Sequence, residues 1–216
     1  MTEFAFPPPE RPAVPVEGSA AAFPVRRIYC VGRNYAAHRA EMGGDDREPP
    51  FFFSKPADAV VPPGHDVPYP SATAHLHHEI ELVVAIGEGG AIFGYAAGVD
   101  LTRRDLQGEA KQKGYPWDAS KGFDASAPIS AIRRADGPPP KGRIRLSVNG
   151  EVRQHARLTD MIWNVEEIIA EAGKLWKLAA GDLIFTGTPE GVGPLQRGDL
   201  VEGEVDGAGA LSFKVT

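Results

Sequence analysis

The chain has 216 residues with 42% hydrophobic and 24% charged side chains, enough for one sizeable core of ordinary soluble composition. Its net charge of −6, with no basic stripe, argues against nucleic acid and anionic membrane as partners. A single cysteine, Cys30, excludes an internal disulfide, and the absence of a basic-then-apolar leader or a membrane-length run leads to the expectation of a soluble, cytoplasmic protein.

Residues 1–24 carry six prolines and read as an extended arm with at most one short edge strand near Ala13–Val16, leaving 25–216 as one catalytic-sized domain. Arg26 to Val31 is a predicted strand ended by Gly32. Cys30 within it reads as a buried structural thiol. Asn34 to Met42 has helical character until Gly43-Gly44 and Pro49-Pro50 break it. Phe51-Phe52-Phe53 is a predicted buried strand leading to Lys55. A hairpin follows over 78–99, turning at Gly87-Glu88-Gly89-Gly90, and then helical propensity over 103–113. Tyr115 to Pro128 reads as a polar, aromatic loop. Arg143 to Gln154 is a hairpin turning at Asn149-Gly150. The best predicted helix is Val165 to Lys177, with Asn164 as cap and Glu167 in capping-box position. Gly181 to Pro189 is turn, strand and turn, and short strands separated by glycine complete the chain. The predicted class is α+β, mostly β, with few helices.

The chemistry concentrates at the start of the first hairpin. Successive strand side chains alternate, so Glu79 and Glu81 share a face while Ile80 and Leu82 take the other. Pairing about a turn near Glu88-Gly89 places Asp100 opposite residues 77–81. Three carboxylates so close repel, and a divalent cation is the natural remedy; an all-oxygen site suits Mg²⁺ or Mn²⁺. The bland alternative is a solvated strand end. His75, His77 and His78 alternate in direction, so a histidine metal site fits less well than the acids.

His38 and Glu41 lie three apart, so on a helical turn the carboxylate would orient and polarise the imidazole; the competing reading is a surface pair on a lid. Lys121, among small and aromatic residues, would stabilise an anion at a site's wall or be merely solvated. Arg103, Arg104 and Gln107 follow Asp100 closely and either bind substrate carboxylates or face water.

These signals line up with one known pattern. CVGRNYAAH at 30–38, FFSKP at 52–56, HHEIELVVAIG at 77–87, GYAAGVDLTRRDLQ at 94–107, KGYPWDASKGFD at 113–124 and GDLIFTGTPEGVG at 181–193 resemble the short, single-domain branch of the fumarylacetoacetate hydrolase family, over roughly 25–200. The resemblance implies a mixed β roll, usually in a homodimer. It implies Mg²⁺ or Mn²⁺ on Glu79, Glu81 and Asp100, a lid dyad at His38 and Glu41, and an active-site lysine at Lys121. It also implies substrate contacts at Arg104, Gln107 and Thr188; Lys55 of the FFSKP stretch and the candidate cations Arg33 and Arg103 complete the expected substrate-binding set. Ala180 departs from the proline common before Gly-Asp in relatives.

Within the family, Pro68-Tyr69-Pro70, the TRRD stretch and KGYPWD resemble enzymes that hydrolyse fumarylpyruvate in gentisate-type aromatic breakdown. The expected reaction is C–C hydrolysis of a small 2,4-dioxo acid, fumarylpyruvate to fumarate and pyruvate. Acetylpyruvate hydrolysis, oxaloacetate decarboxylation and hydroxymuconate-type isomerisation use the same carboxylates. A non-catalytic carboxylate- or metal-binding protein is the reading from another class, and the joint presence of His38, Glu41 and Lys121 argues against it.

Overall fold

The run Ile80–Ile86 is apolar after Glu81, and the fold covers both of its faces, as expected of an interior strand. Its register with Ile92–Val99 pairs Ile80 with Val99 and Glu81 with Gly98. The computed structural model describes residues 4–35 and 48–216. His38, Glu41, the Gly43-Gly44 pair and most of the helix expected over 34–42 lie outside the described residues.

Six strands form the central sheet, in the order Arg133–Arg134, Ile92–Val99, Ile80–Ile86, Asp182–Phe185, Arg27–Gly32, Phe51–Lys55. Asp182–Phe185 runs parallel to Arg27–Gly32 and antiparallel to Ile80–Ile86, so the sheet is mixed. A four-stranded antiparallel sheet built from Arg143–Val148, Glu151–Arg157, Leu200–Val205 and Gly209–Lys214 packs on one face. Ile80, Leu82 and Val84 meet Ile144, Leu146, Val201 and Phe213 there in one cluster. On the other face Val83 and Ala85 join Ile28, Phe185 and the N-terminal Val14, Phe23 and Val25. A three-stranded sheet of Gly193–Leu195, Leu76–His78 and Thr102–Arg103 closes the end that carries the acids.

Two expectations are corrected. The proline-rich segment holds two strands rather than one, Ala13–Pro15 paired with Ala22–Pro24, with Val14 and Phe23 buried. Proline cannot donate but still accepts, and the carbonyls of Pro12 and Pro15 take hydrogen bonds from Val25 and Ile132. The stretch 115–128 is likewise more than a loop. It contains a short helix, Asp118–Lys121, and a two-residue strand, Ala127–Pro128, paired with Val60–Val61.

The second hairpin turns at Asn149-Gly150, both with positive φ, as the Asn-Gly pair requires. The best helix runs Val165–Leu175, with both reciprocal bonds of the Asn164/Glu167 capping box formed at 3.0 Å. Asn164→Ala is therefore expected to lower stability by about 1 kcal/mol. A denaturation midpoint shift with an unchanged urea dependence would show it, and an unshifted midpoint would mean the cap is dispensable.

Candidate active site

Glu79 immediately precedes its strand and Asp100 follows the partner strand, and the Asp100 N–H donates to the Glu79 carbonyl at 2.8 Å. The expected register thus holds. Ligand oxygens of Glu79, Glu81 and Asp100 all lie within 4.8 Å of one another, and all three residues are buried. Gly98, opposite Glu81, leaves room for the Phe185 and Val83 side chains, each of which would stand 2.6 Å from a Cβ there.

The cations around the cluster are unevenly shared. Lys121 Nζ contacts Glu79 Oε2 at 2.8 Å and Asp100 Oδ2 at 2.6 Å, and donates to Thr102 Oγ1. Arg104 donates to Glu79 Oε1 at 2.5 Å and to Gln107 Oε1 at 2.6 Å. Lys55 Nζ is 2.8 Å from Asp100 Oδ1 but out of line for a hydrogen bond to it, so that oxygen has an ion-pair neighbour and no hydrogen-bond donor. Lys55 is fully buried behind Asp100 and also donates to the Leu101 and Lys121 carbonyls, away from the pocket surface. Among the described residues Glu81 has no cation at hydrogen-bond distance. Its Oε2 accepts from the Gly187 N–H at 2.8 Å, a bond aimed by the positive φ of Gly187 in the TGTP turn.

The electrostatics follow from this sharing. Burial opposes the Glu79 charge, yet Lys121 and Arg104 hold its carboxyl below the usual range. Burial, then Asp100 and Glu79, push Glu81 well above it. Burial would lower Lys121, but Asp100 and Glu79 outweigh it and keep the ammonium charged. The set fits a hard divalent cation: all its donors are oxygens, and among the described residues Glu81 lacks a countercharge and Asp100 Oδ1 lacks a donor. Among the described residues no other group of three metal-ligating side chains gathers so closely.

The cluster opens on a pocket of about 200 Å³ whose lining includes Glu79, Glu81, Arg33, Arg104, Gln107 and Thr188. Thr188 is held by Gln154, whose amide donates to its hydroxyl at 2.8 Å while the amide oxygen accepts from the Ile80 N–H at 3.0 Å. Of the adjacent pair after Asp100, Arg104 reaches the pocket. Arg103 turns away, donating to the Ala119 carbonyl and lying 4.4 Å over the Phe123 ring.

The sequence analysis missed Lys111, Trp117 and Gln154, and weighed His77 only as a metal ligand, whereas it lines the pocket. Lys111 and Trp117 line the pocket, and the signal for Lys111 is its spacing of seven from Arg104 on one helix. His77 is kept neutral, with burial first and then Arg104 lowering it to about 4. At the root of the segment leading to His38, Asn34 donates to the Thr186 and Trp163 carbonyls and accepts from the Trp163 N–H.

A family model for the fumarylacetoacetate (FAA) hydrolase C-terminal domain matches residues 27–216. The chain belongs to the fumarylacetoacetate hydrolase family. It is similar to a fumarylpyruvate hydrolase from Pseudomonas aeruginosa, solved in complex with Mn²⁺ and pyruvate, with 48% identity, a TM-score of 0.95 and 99% of each chain covered. It is 42% identical over 202 residues to the mitochondrial oxaloacetate tautomerase FAHD1 of Mus musculus, covering 88% of this chain and 91% of that protein. Oxaloacetate tautomerase YcgM of Escherichia coli is 42% identical over 204 residues, covering 88% and 93%. Family members thus include hydrolases and tautomerases. Among the described residues no helix is long and apolar enough to cross a membrane.

Proposed function

We propose that the protein is a divalent-metal-dependent hydrolase that cleaves the C–C bond of a 2,4-dioxo acid, with fumarylpyruvate as substrate and fumarate and pyruvate as products. The observation that carries this reading is the buried Glu79, Glu81 and Asp100 triad opening on a pocket walled by cationic side chains. The P. aeruginosa hydrolase at 48% identity supports the choice of substrate. Glu79, Glu81 and Asp100 would hold Mg²⁺ or Mn²⁺, which when bound supplies a Lewis acid for the oxo-acid end. The reading includes residues 1–24 as an arm on a catalytic domain of 25–216, a cytoplasmic homodimer, and a place in the breakdown of aromatic compounds.

The chain's own residues divide the work. His38, oriented by Glu41, takes a proton from water as its oxygen bonds to C4 of the substrate. The C3–C4 pair then moves to the leaving fragment as a pyruvate enolate, while C4 keeps the new oxygen and leaves as fumarate. Lys121 offsets the charge on the enolate, and His38 returns its proton to C3. Arg104, fixed by Glu79 and Gln107, orients the oxo-acid carboxylate, with Thr188 beside it.

A second reading, tautomerisation of oxaloacetate, is favoured by the 42% identity to the mouse and E. coli tautomerases. It needs an enolate but no attack by water. Side-by-side assays with Mg²⁺ or Mn²⁺ on fumarylpyruvate, acetylpyruvate and oxaloacetate separate the two. Rapid release of fumarate supports the hydrolase; interconversion of oxaloacetate tautomers without acylpyruvate cleavage overturns it.

A further inference from the structure

Lys111 lies seven residues beyond Arg104 and four beyond Gln107 on the Arg104–Lys113 helix, so the three form one stripe toward the pocket. Its ammonium stands 5.2 Å from the centroid of the Trp117 ring, which also lines the pocket. Lys111 and Arg33 are both exposed on the pocket wall; desolvation, then the charges of Arg104 and Arg33, press Lys111 below the ordinary lysine range.

Four cations therefore line the pocket, and they are not equivalent. Lys121 and Arg104 are already paired with Glu79 and Asp100. Lys111 and Arg33 have no carboxylate partner among the described residues. The acids nearest Lys111 on its helix are engaged elsewhere: Glu109 pairs with Lys113 at 2.6 Å, and Asp105 accepts from Thr73 and Ala74. Arg33 is also held at φ 60, a left-handed conformation uncommon outside glycine and one that clusters at ligand sites. Like charges gathered without a counterion repel, and an anion meeting both offsets that repulsion.

We propose that Lys111 and Arg33 form a second anion site in the pocket, which binds the distal carboxylate of a dicarboxylic oxo acid. This rests on the oxo-acid reading above and deepens it: the metal triad, Lys121 and Arg104 serve the oxo-acid end, while Lys111 and Arg33 select substrates that carry a negative charge at the other end. Fumarylpyruvate has that charge and acetylpyruvate lacks it. Trp117 would flank the unsaturated chain between the two ends.

Two measurements on the Mn²⁺-loaded protein test the site. Calorimetric titration with fumarate should give a Kd weakened about 10-fold or more in Lys111→Met and in Arg33→Gln, the loss of one charge-assisted contact. Lys111→Arg, which keeps the charge, should retain most of the affinity. The ratio of kcat/KM for fumarylpyruvate over acetylpyruvate should fall by a similar factor in Lys111→Met. Fumarate affinity unchanged in both charge-removing variants, or equal losses in Lys111→Arg and Lys111→Met, would overturn the site. Hydrolysis of both acylpyruvates with an unchanged ratio in Lys111→Met also overturns it and leaves the hydrolase reading standing. A wild type that cleaves neither acylpyruvate but binds fumarate through Lys111 does the reverse.

Discussion

Glu81→Ala is expected to abolish divalent-metal binding and to lower kcat/KM by at least about 10³-fold, since a Lewis acid contributes several kcal/mol to such a reaction and each 1.36 kcal/mol is a factor of ten. Glu81 is the decisive member of the triad because, among the described residues, it is the one without a cation of its own. Among the described residues Glu79 is shared by Lys121 and Arg104, and Asp100 by Lys121 and Lys55, whereas Glu81 has only the Gly187 N–H. The same imbalance sets a pH dependence. In the metal-free protein Glu81 is raised by burial and by its acidic neighbours, so it favours the fold while protonated. That contribution is present at low pH and is lost as pH rises from about 4.3, the ordinary glutamate value, through the raised one. Metal-free wild type should therefore lose stability across that window, Glu81→Ala should lose less, and added Mn²⁺ should restore the wild type only. Metal affinity should rise with pH over the same range, because the ion displaces the Glu81 proton. Equilibrium dialysis with Mn²⁺ and thermal melts at several pH values provide the measurements. Stoichiometric Mn²⁺ in Glu81→Ala, or full turnover by chelator-treated wild type, would sink the metal assignment.

How much of this was legible beforehand depended on whether the signal was local. The period of two in Glu79-Ile80-Glu81 and the turn near Glu88-Gly89 were enough to bring Asp100 to the acids, because hairpin register is fixed by the turn. The Asn164/Glu167 cap and the Asn149-Gly150 turn were legible for the same reason. What escaped was set by tertiary packing. Four residues around Ser120 carry no helical periodicity, yet their helix delivers Lys121 to the triad. The N-terminal prolines masked a second strand because their carbonyls still accept across the sheet. Lys55, expected among the substrate-binding residues, is instead drawn inward by Asp100 and is not among the residues that line the pocket. Alternation allows only one of two neighbouring arginines to enter the pocket, but nothing in the sequence says that Arg104 rather than Arg103 does so. Lys111 was legible in principle, since it repeats the face of Arg104 and Gln107.

His38→Ala is expected to lower acylpyruvate hydrolysis by 10²–10⁴-fold, the contribution typical of a positioned general base. The distinguishing result lies in the comparison with oxaloacetate. Decarboxylation at the same triad needs the enolate to be stabilised but no water to be activated, so its rate should fall much less. Tautomerisation needs proton transfer without attack by water, so a deep loss there as well would assign His38 to proton movement on the substrate itself. Asn34, four residues before His38, is tied to the strand end at Thr186 and to Trp163, close to the Gly187–Glu81 contact. That anchoring gives a control. Asn34→Ala should weaken the placement of the segment and lower both reactions together, because it disturbs the orientation of the dyad rather than one proton transfer. Glu41→Gln should reproduce the selective pattern of His38→Ala at smaller amplitude and shift the acidic limb of the hydrolytic pH profile downward, since the histidine loses the carboxylate that raises its basicity. Equal losses in hydrolysis and decarboxylation for His38→Ala, with an unshifted profile in Glu41→Gln, would remove His38 from the role of general base and leave it in substrate binding.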